Sequence, residues 1–85
     1  MTAPGYWMHE TTGVLRPAVE AYLAGDAMTR EQVAAMRAYL RQWIAAPAWK
    51  GRKARFLRRS IDSLTSREAI RSWLTIASEE GIDPL

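Results

Sequence analysis

The 85-residue chain has no cysteine and a single histidine. The first absence excludes disulfides, thiolate catalysis and cysteine-ligated zinc or iron–sulfur centres. The second excludes a histidine-rich zinc site, and no Asp/Glu cluster has metal-ligand spacing, so no metal and no cofactor is expected. Neither G-x-x-x-x-G-K-[ST] nor G-x-G-x-x-G occurs, which removes the common phosphate loops. No run approaches the ~20 apolar residues that span a bilayer. Met1-Thr2-Ala3-Pro4-Gly5 lacks the basic-then-apolar order of a secretory signal. These readings point to a cytoplasmic protein with no membrane partner. His9 beside Glu10, near Thr11 and Thr12, is the one arrangement that hints at nucleophilic chemistry. The pair is adjacent in sequence and has no nucleophile motif, so the chain is expected not to be an enzyme.

Hydrophobic residues make up 48% and charged residues 25%. A single domain of this length hides only about 60–65% of the surface its unfolded chain would expose, which leaves little room for a deep substrate cavity. Apolar spacing predicts an all-α fold, a compact bundle of about four helices over residues 13–85. Residues 1–12 show no helical period and are expected to form an irregular N-terminal arm, packed on the body through Tyr6-Trp7-Met8. No strand-like alternation appears.

The first helix is predicted over about Val14–Ala24, with Leu15, Val19, Tyr22 and Leu23 on one face and Pro17 in the first turn. Gly25 follows in the position that favours a left-handed residue. Thr29-Arg30-Glu31-Gln32 reads as a capping box opening the second helix, stapled by Met28 and Val33. Val33, Met36, Leu40 and Trp43 form its stripe, Tyr39 and Ile44 widen it, and Pro47 stops it. The third helix is predicted over about Arg52–Ser63, with Ala54, Leu57, Ile61 and Leu64 inward and Phe56 beside them. Thr65-Ser66-Arg67-Glu68 reads as a second capping box with Thr65 as the cap. The fourth helix carries Ile70, Trp73, Leu74 and Ala77 and ends at Gly81, where Ile82 can fold back on Ala77. Glu79 and Glu80 oppose its dipole.

Arginine outnumbers lysine ten to two, a ratio that GC-rich coding alone would produce. The sequence from Trp49 to Arg59 holds six of the twelve basic residues and no acid, a local charge of +6 against −3 for the remainder. The expected partner-binding surface is therefore Trp49, Lys50, Arg52, Lys53, Arg55, Arg58 and Arg59, meeting an acidic protein surface or phosphates. The competing reading is a solvated helix face with Trp49 tucked into the domain. The pairs Arg37/Arg41 and Arg67/Arg71 are expected to sit in water.

Gly13-Val14-Leu15-Arg16-Pro17, Ala38-Tyr39-Leu40-Arg41-Gln42-Trp43-Ile44 and Gly81-Ile82-Asp83-Pro84-Leu85 resemble segments of short uncharacterised bacterial and phage-borne helical proteins. The resemblance implies a genomic setting and assigns no activity and no residues. Small single-domain proteins of that setting often act by binding a larger machine, anti-CRISPR proteins among them. The functional expectation is a non-catalytic module that docks on a protein or nucleoprotein partner, in its most concrete version a phage-encoded inhibitor of a host defence complex such as CRISPR. Direct DNA or RNA binding by the basic third helix is the alternative. A self-associating structural or adaptor protein, a homodimer for example, is the second alternative, because eight aromatics exceed what so small a core readily covers.

Overall fold

The computed structural model describes residues 13–85; the expected N-terminal arm, with His9, lies outside the described residues. Four α-helices follow in order: α1 (Leu15–Ala24), α2 (Arg30–Ile44), α3 (Arg52–Ser60) and α4 (Arg67–Glu79). A 3-10 turn, Ile61–Ser63, continues α3. No strand occurs among the described residues, so the chain is all-α.

The helix starts follow from side-chain oxygens that receive otherwise unpaired backbone N–H groups. At α2 the Gln32 amide donates to Thr29 Oγ1 at 3.1 Å, and the Thr29 amide donates to Gln32 Oε1 at 2.9 Å, closing the box as read from the sequence. At α4 the cap is Ser66 rather than Thr65: Ser66 Oγ accepts from the Ala69 amide at 3.1 Å. The Thr65 amide instead bonds the Ser63 carbonyl, directly after the Leu64 amide has closed the 3-10 turn on the Ile61 carbonyl. That turn uses up the residue that would otherwise begin the helix.

Two helix ends share one device. Gly25 and Gly81 have φ of 78° and 75°, a region closed to most residues with a Cβ. Each lets the chain reverse, so that the Asp26 amide reaches the Ala21 carbonyl and the Ile82 amide the Ala77 carbonyl, both at 2.9 Å. Ile82 is thereby returned to the core. The helix α2 ends at Ile44, three residues before Pro47, whose missing N–H prevents another rung of the ladder.

The core is one cluster that draws on every helix. Leu15 and Val19 come from α1, Met36, Leu40, Trp43 and Ile44 from α2, Leu57 from α3, and Ile70, Trp73 and Ala77 from α4; Ile61, Leu64 and Ile82 fill the connections. The small Ala18, fully buried, lets the α1 backbone approach its neighbours closely. Leu23, expected on the inward face of α1, is 58% exposed. It lies about 90° around the helix from the Leu15–Ala18–Val19–Tyr22 face.

Arginine side chains tie the elements together, which corrects the expectation that the outlying pairs are merely solvated. Arg37 of α2 donates to the Leu64 carbonyl at 2.8 Å, ending the 3-10 turn. Arg67 in the first turn of α4 donates to the Tyr22 carbonyl at 2.8 Å, at the end of α1, and its guanidinium lies 5.0 Å from the Tyr22 ring centroid. Arg41 pairs with Asp62; Arg71 alone of these four stays in water with no partner among the described residues. In each of the two clamps a planar guanidinium reaches a carbonyl at the end of a helical segment. Coding bias therefore does not account for the arginine content by itself. Two further cross-links are buried: Trp73 Nε1 donates to the Leu57 carbonyl at 3.0 Å, and the Tyr39 hydroxyl donates to the Pro84 carbonyl at 2.5 Å.

Candidate functional site

The seven residues singled out from the sequence divide into three groups in space. Arg58 points across to α2. Its Nε donates to the Ile44 carbonyl at 2.8 Å, and its Nη2 donates to the carbonyls of Ala46, at 3.2 Å, and Trp49. It therefore caps the end of α2 and shapes the following loop, with three of its five N–H groups spent inside the protein. Trp49 is half-buried against the core, its ring 6.2 Å from that of Trp43 and tilted by 32°. Its Nε1 is buried and has no hydrogen-bond partner among the described residues. The expectation of an indole offered to a partner gives way here to the tucked-in reading.

Lys53 is shared with α4. Its Nζ lies 3.4 Å from Glu79 Oε2 and 3.9 Å from Glu80 Oε2. The antiparallel pairing of α3 and α4 sets the positive end of one helix dipole beside the negative end of the other. Lysine at the first end and glutamates at the second are each adverse within their own helix and favourable across the pair.

Lys50, Arg52, Arg55 and Arg59 remain. All are exposed, and none is paired with another described residue. Their placement follows from the period of the helix. With Leu57 inward, Arg52, Arg55 and Arg59 fall on the opposite side at about 100° per residue. Arg58 falls toward α2 and Lys53 toward α4. The cationic face is thus the part of the basic run that packing does not use.

Phe56 was placed beside the inward stripe by the sequence reading; in the structure it is 45% exposed. It stands about 120° from the centre of the Ala54–Leu57–Ile61–Leu64 stripe, and that angle was the available signal. Arg52, Lys53, Arg55, Phe56 and Arg59 together line a shallow hollow of 330 Å³. A second hollow of 210 Å³ runs between α3 and α4 and shares Phe56 with the first; its other walls include Ser60, Leu64, Trp73 and Ile76. The outcome is one continuous surface with a cationic part and a carbon-rich part, joined at a phenylalanine.

The electrostatics of this surface are adverse in the free protein. The first turn of α3 has no acidic residue, and its N-cap, Gly51, offers no side-chain cap. Like charges lie one turn apart at Arg52/Arg55 and Arg55/Arg59, each pair costing a few tenths of a kcal/mol. An anionic surface laid over them relieves that repulsion.

No cluster of three or more His, Asp or Glu side chains able to hold a metal occurs among the described residues. The Tyr22 phenol lies above the ordinary tyrosine value because burial disfavours the phenolate, with Arg67 and Arg71 offsetting part of the effect. Among the described residues, no helix is long and apolar enough to cross a membrane. Compared with protein-family models, curated proteins and solved structures, the chain matches none of them.

Proposed function

We propose that the protein is a non-catalytic binding module that docks on the acidic surface of a protein or nucleoprotein partner through the outer face of α3. The observation that carries this reading is the set Arg52, Arg55 and Arg59, exposed, unpaired with any described residue, and gathered around the exposed Phe56. Desolvating an aromatic ring inside a ring of cations is a common way to combine affinity with orientation, since aromatic and arginine side chains dominate interface energetics. The residues that make the contact are Lys50, Arg52, Arg55, Phe56 and Arg59. Arg58 and Trp49 support them from behind by fixing the loop that precedes α3. Inhibition of a larger bacterial or phage-defence assembly is the most specific form of this role.

Phosphate binding is the second reading, favoured by the same guanidinium groups. The two separate by salt dependence and by partner. Affinity capture from host lysate with the wild type and with the triple variant Arg52→Glu, Arg55→Glu, Arg59→Glu tests the docking face. Loss of the captured partner at unchanged melting temperature is expected. Equal recovery by both proteins removes α3 from the interface. A gel shift on duplex and single-stranded DNA and on RNA at low salt tests the second reading, which requires a complex that weakens steeply as salt rises.

A further inference from the structure

Along the outer face of α3 cations and an aromatic ring alternate. Arg52 and Arg59 stand one turn before and one turn after Phe56 on the same face, and Arg55 adjoins it. At about 1.5 Å per residue, Phe56 is separated from the two along the helix axis by about 6 Å and about 4.5 Å. The ring is 45% exposed, and it shares a 330 Å³ hollow with these three arginines and Lys53. Lys53 is already engaged by Glu79 and Glu80. No acidic residue lines that hollow.

A nucleic-acid strand alternates in the same way, phosphate after base after phosphate, and each base has a flat π-face. Three arginines over about 10 Å of helix match roughly three stacked nucleotides at about 3.4 Å each. An acidic protein surface satisfies the guanidinium groups but has to bring an apolar group to Phe56 inside a ring of charges. A duplex satisfies them too, but its bases are closed in pairs and leave Phe56 without a free face. The second hollow beside Phe56 offers little to tell one base from another. Neither hollow is lined by Asn, Gln, Asp or Glu, the side chains that read base edges beside arginine. Ser60 and Ser63 already donate to the Leu57 and Ser60 carbonyls.

We infer that the outer face of α3 binds single-stranded nucleic acid with little regard to sequence, a base stacked on Phe56 and the adjoining phosphates on Arg52, Arg55 and Arg59. The inference rests on the docking role of α3 proposed above, and it names the exposed strand of a nucleoprotein as the part contacted. Lys50, also exposed, brings the face to four cations. At about 0.7 for each neutralised phosphate, the log–log salt slope is about −3, a loss of about fifty-fold in affinity between 50 and 200 mM salt.

The test uses the whole protein and fluorescein-labelled oligonucleotides of about twelve nucleotides, within the span of single-strand sites. These are homothymidine, homoadenosine, and one mixed sequence both as a single strand and as a duplex. A glutamate homopeptide and inorganic polyphosphate supply negative charge without bases. Binding is read by fluorescence anisotropy at low and raised salt, with polyphosphate as an unlabelled competitor. Amide chemical-shift changes locate it.

Single strands are expected to bind more tightly than the duplex, the two homopolymers within about fivefold of each other, with shifts centred on Arg55, Phe56, Arg59 and Ser60. Phe56→Leu keeps the carbon surface and loses the π-face, and is expected to weaken the single strand by about fivefold or more; Phe56→Tyr restores binding. Arg55→Ala and Arg59→Ala are each expected to lower the salt slope by about 0.7. Arg71→Ala, which removes a cation beside Tyr22 instead, leaves affinity within about twofold. Equal binding of single strand and duplex, or an unchanged affinity in Phe56→Leu, overturns the stacking site and leaves the cationic docking face standing. Tighter binding of the glutamate homopeptide through the same residues overturns nucleic acid as the ligand and supports an acidic protein. Absence of binding by every anionic probe at low salt overturns the inference and the cationic face together.

Discussion

Replacing Arg58 by alanine separates the structural part of the basic run from the part proposed to bind. The side chain makes three hydrogen bonds to carbonyls at and beyond the end of α2. A bond from a charged donor contributes ~1.5–3 kcal/mol where it is well buried. The site is only half-buried, so about 1 kcal/mol for each is the better figure. Ordering a long arginine side chain costs about 1–2 kcal/mol in the opposite direction. The net loss for Arg58→Ala is therefore about 1–2 kcal/mol, which corresponds to about 4–16 °C in Tm for a domain of this size. Arg58→Lys keeps the charge without the planar fork and cannot serve Nε-side and Nη-side acceptors together, so about half the loss is expected. Arg55→Ala and Arg59→Ala, one turn apart on the outer face, are expected to stay within about 0.5 kcal/mol of the parent. Thermal melts followed by far-ultraviolet circular dichroism on these four variants check the ranking. If Arg58→Ala melts together with Arg55→Ala, the clamp contributes nothing and the division of the basic run fails.

Ser66→Ala is expected to cost about 1 kcal/mol, whereas Thr65→Ala is near neutral, because only Ser66 receives an α4 amide; urea unfolding midpoints distinguish them. Gly81→Ala is expected to destabilise by about 1–2 kcal/mol. Open space surrounds that position, so the loss is conformational rather than steric and a calorimetric melt detects it. Tyr22 is expected to ionise above the ordinary tyrosine range in an absorbance titration. Since its folded pKa is raised, its contribution to stability is complete below the unfolded value of 10.0 and declines as pH rises through the folded one. Unchanged stability between neutral pH and the end of that titration contradicts this assignment.

The elements themselves were legible because local chemistry determines them. The Thr29–Gln32 box, the left-handed glycines, Pro47 and the stripe of α2 each depend on residues within a turn of one another. The misplaced cap of α4 shows where that locality ends. Thr65 and Ser66 are equally good caps, and the choice falls to the 3-10 turn in front of them. The candidate site was harder to read. Six cations and a tryptophan, neighbours in sequence, looked alike in exposure on paper, but Arg58, Lys53 and Trp49 have partners on other elements, at separations that composition does not reveal. Phe56 was missed for the converse reason: a lone phenylalanine in a helix usually faces inward, and only its angle around α3 showed otherwise.

The clamp from Arg67 to the Tyr22 carbonyl and the bond from Tyr39 to Pro84 each join residues 45 positions apart. They fasten the opening helix to the closing one, and the tail to the middle. Parting α1 from α4, or the tail from α2, therefore strands a guanidinium or a hydroxyl. Among the described residues, contacts of this span favour loss of structure in one step over unravelling in stages.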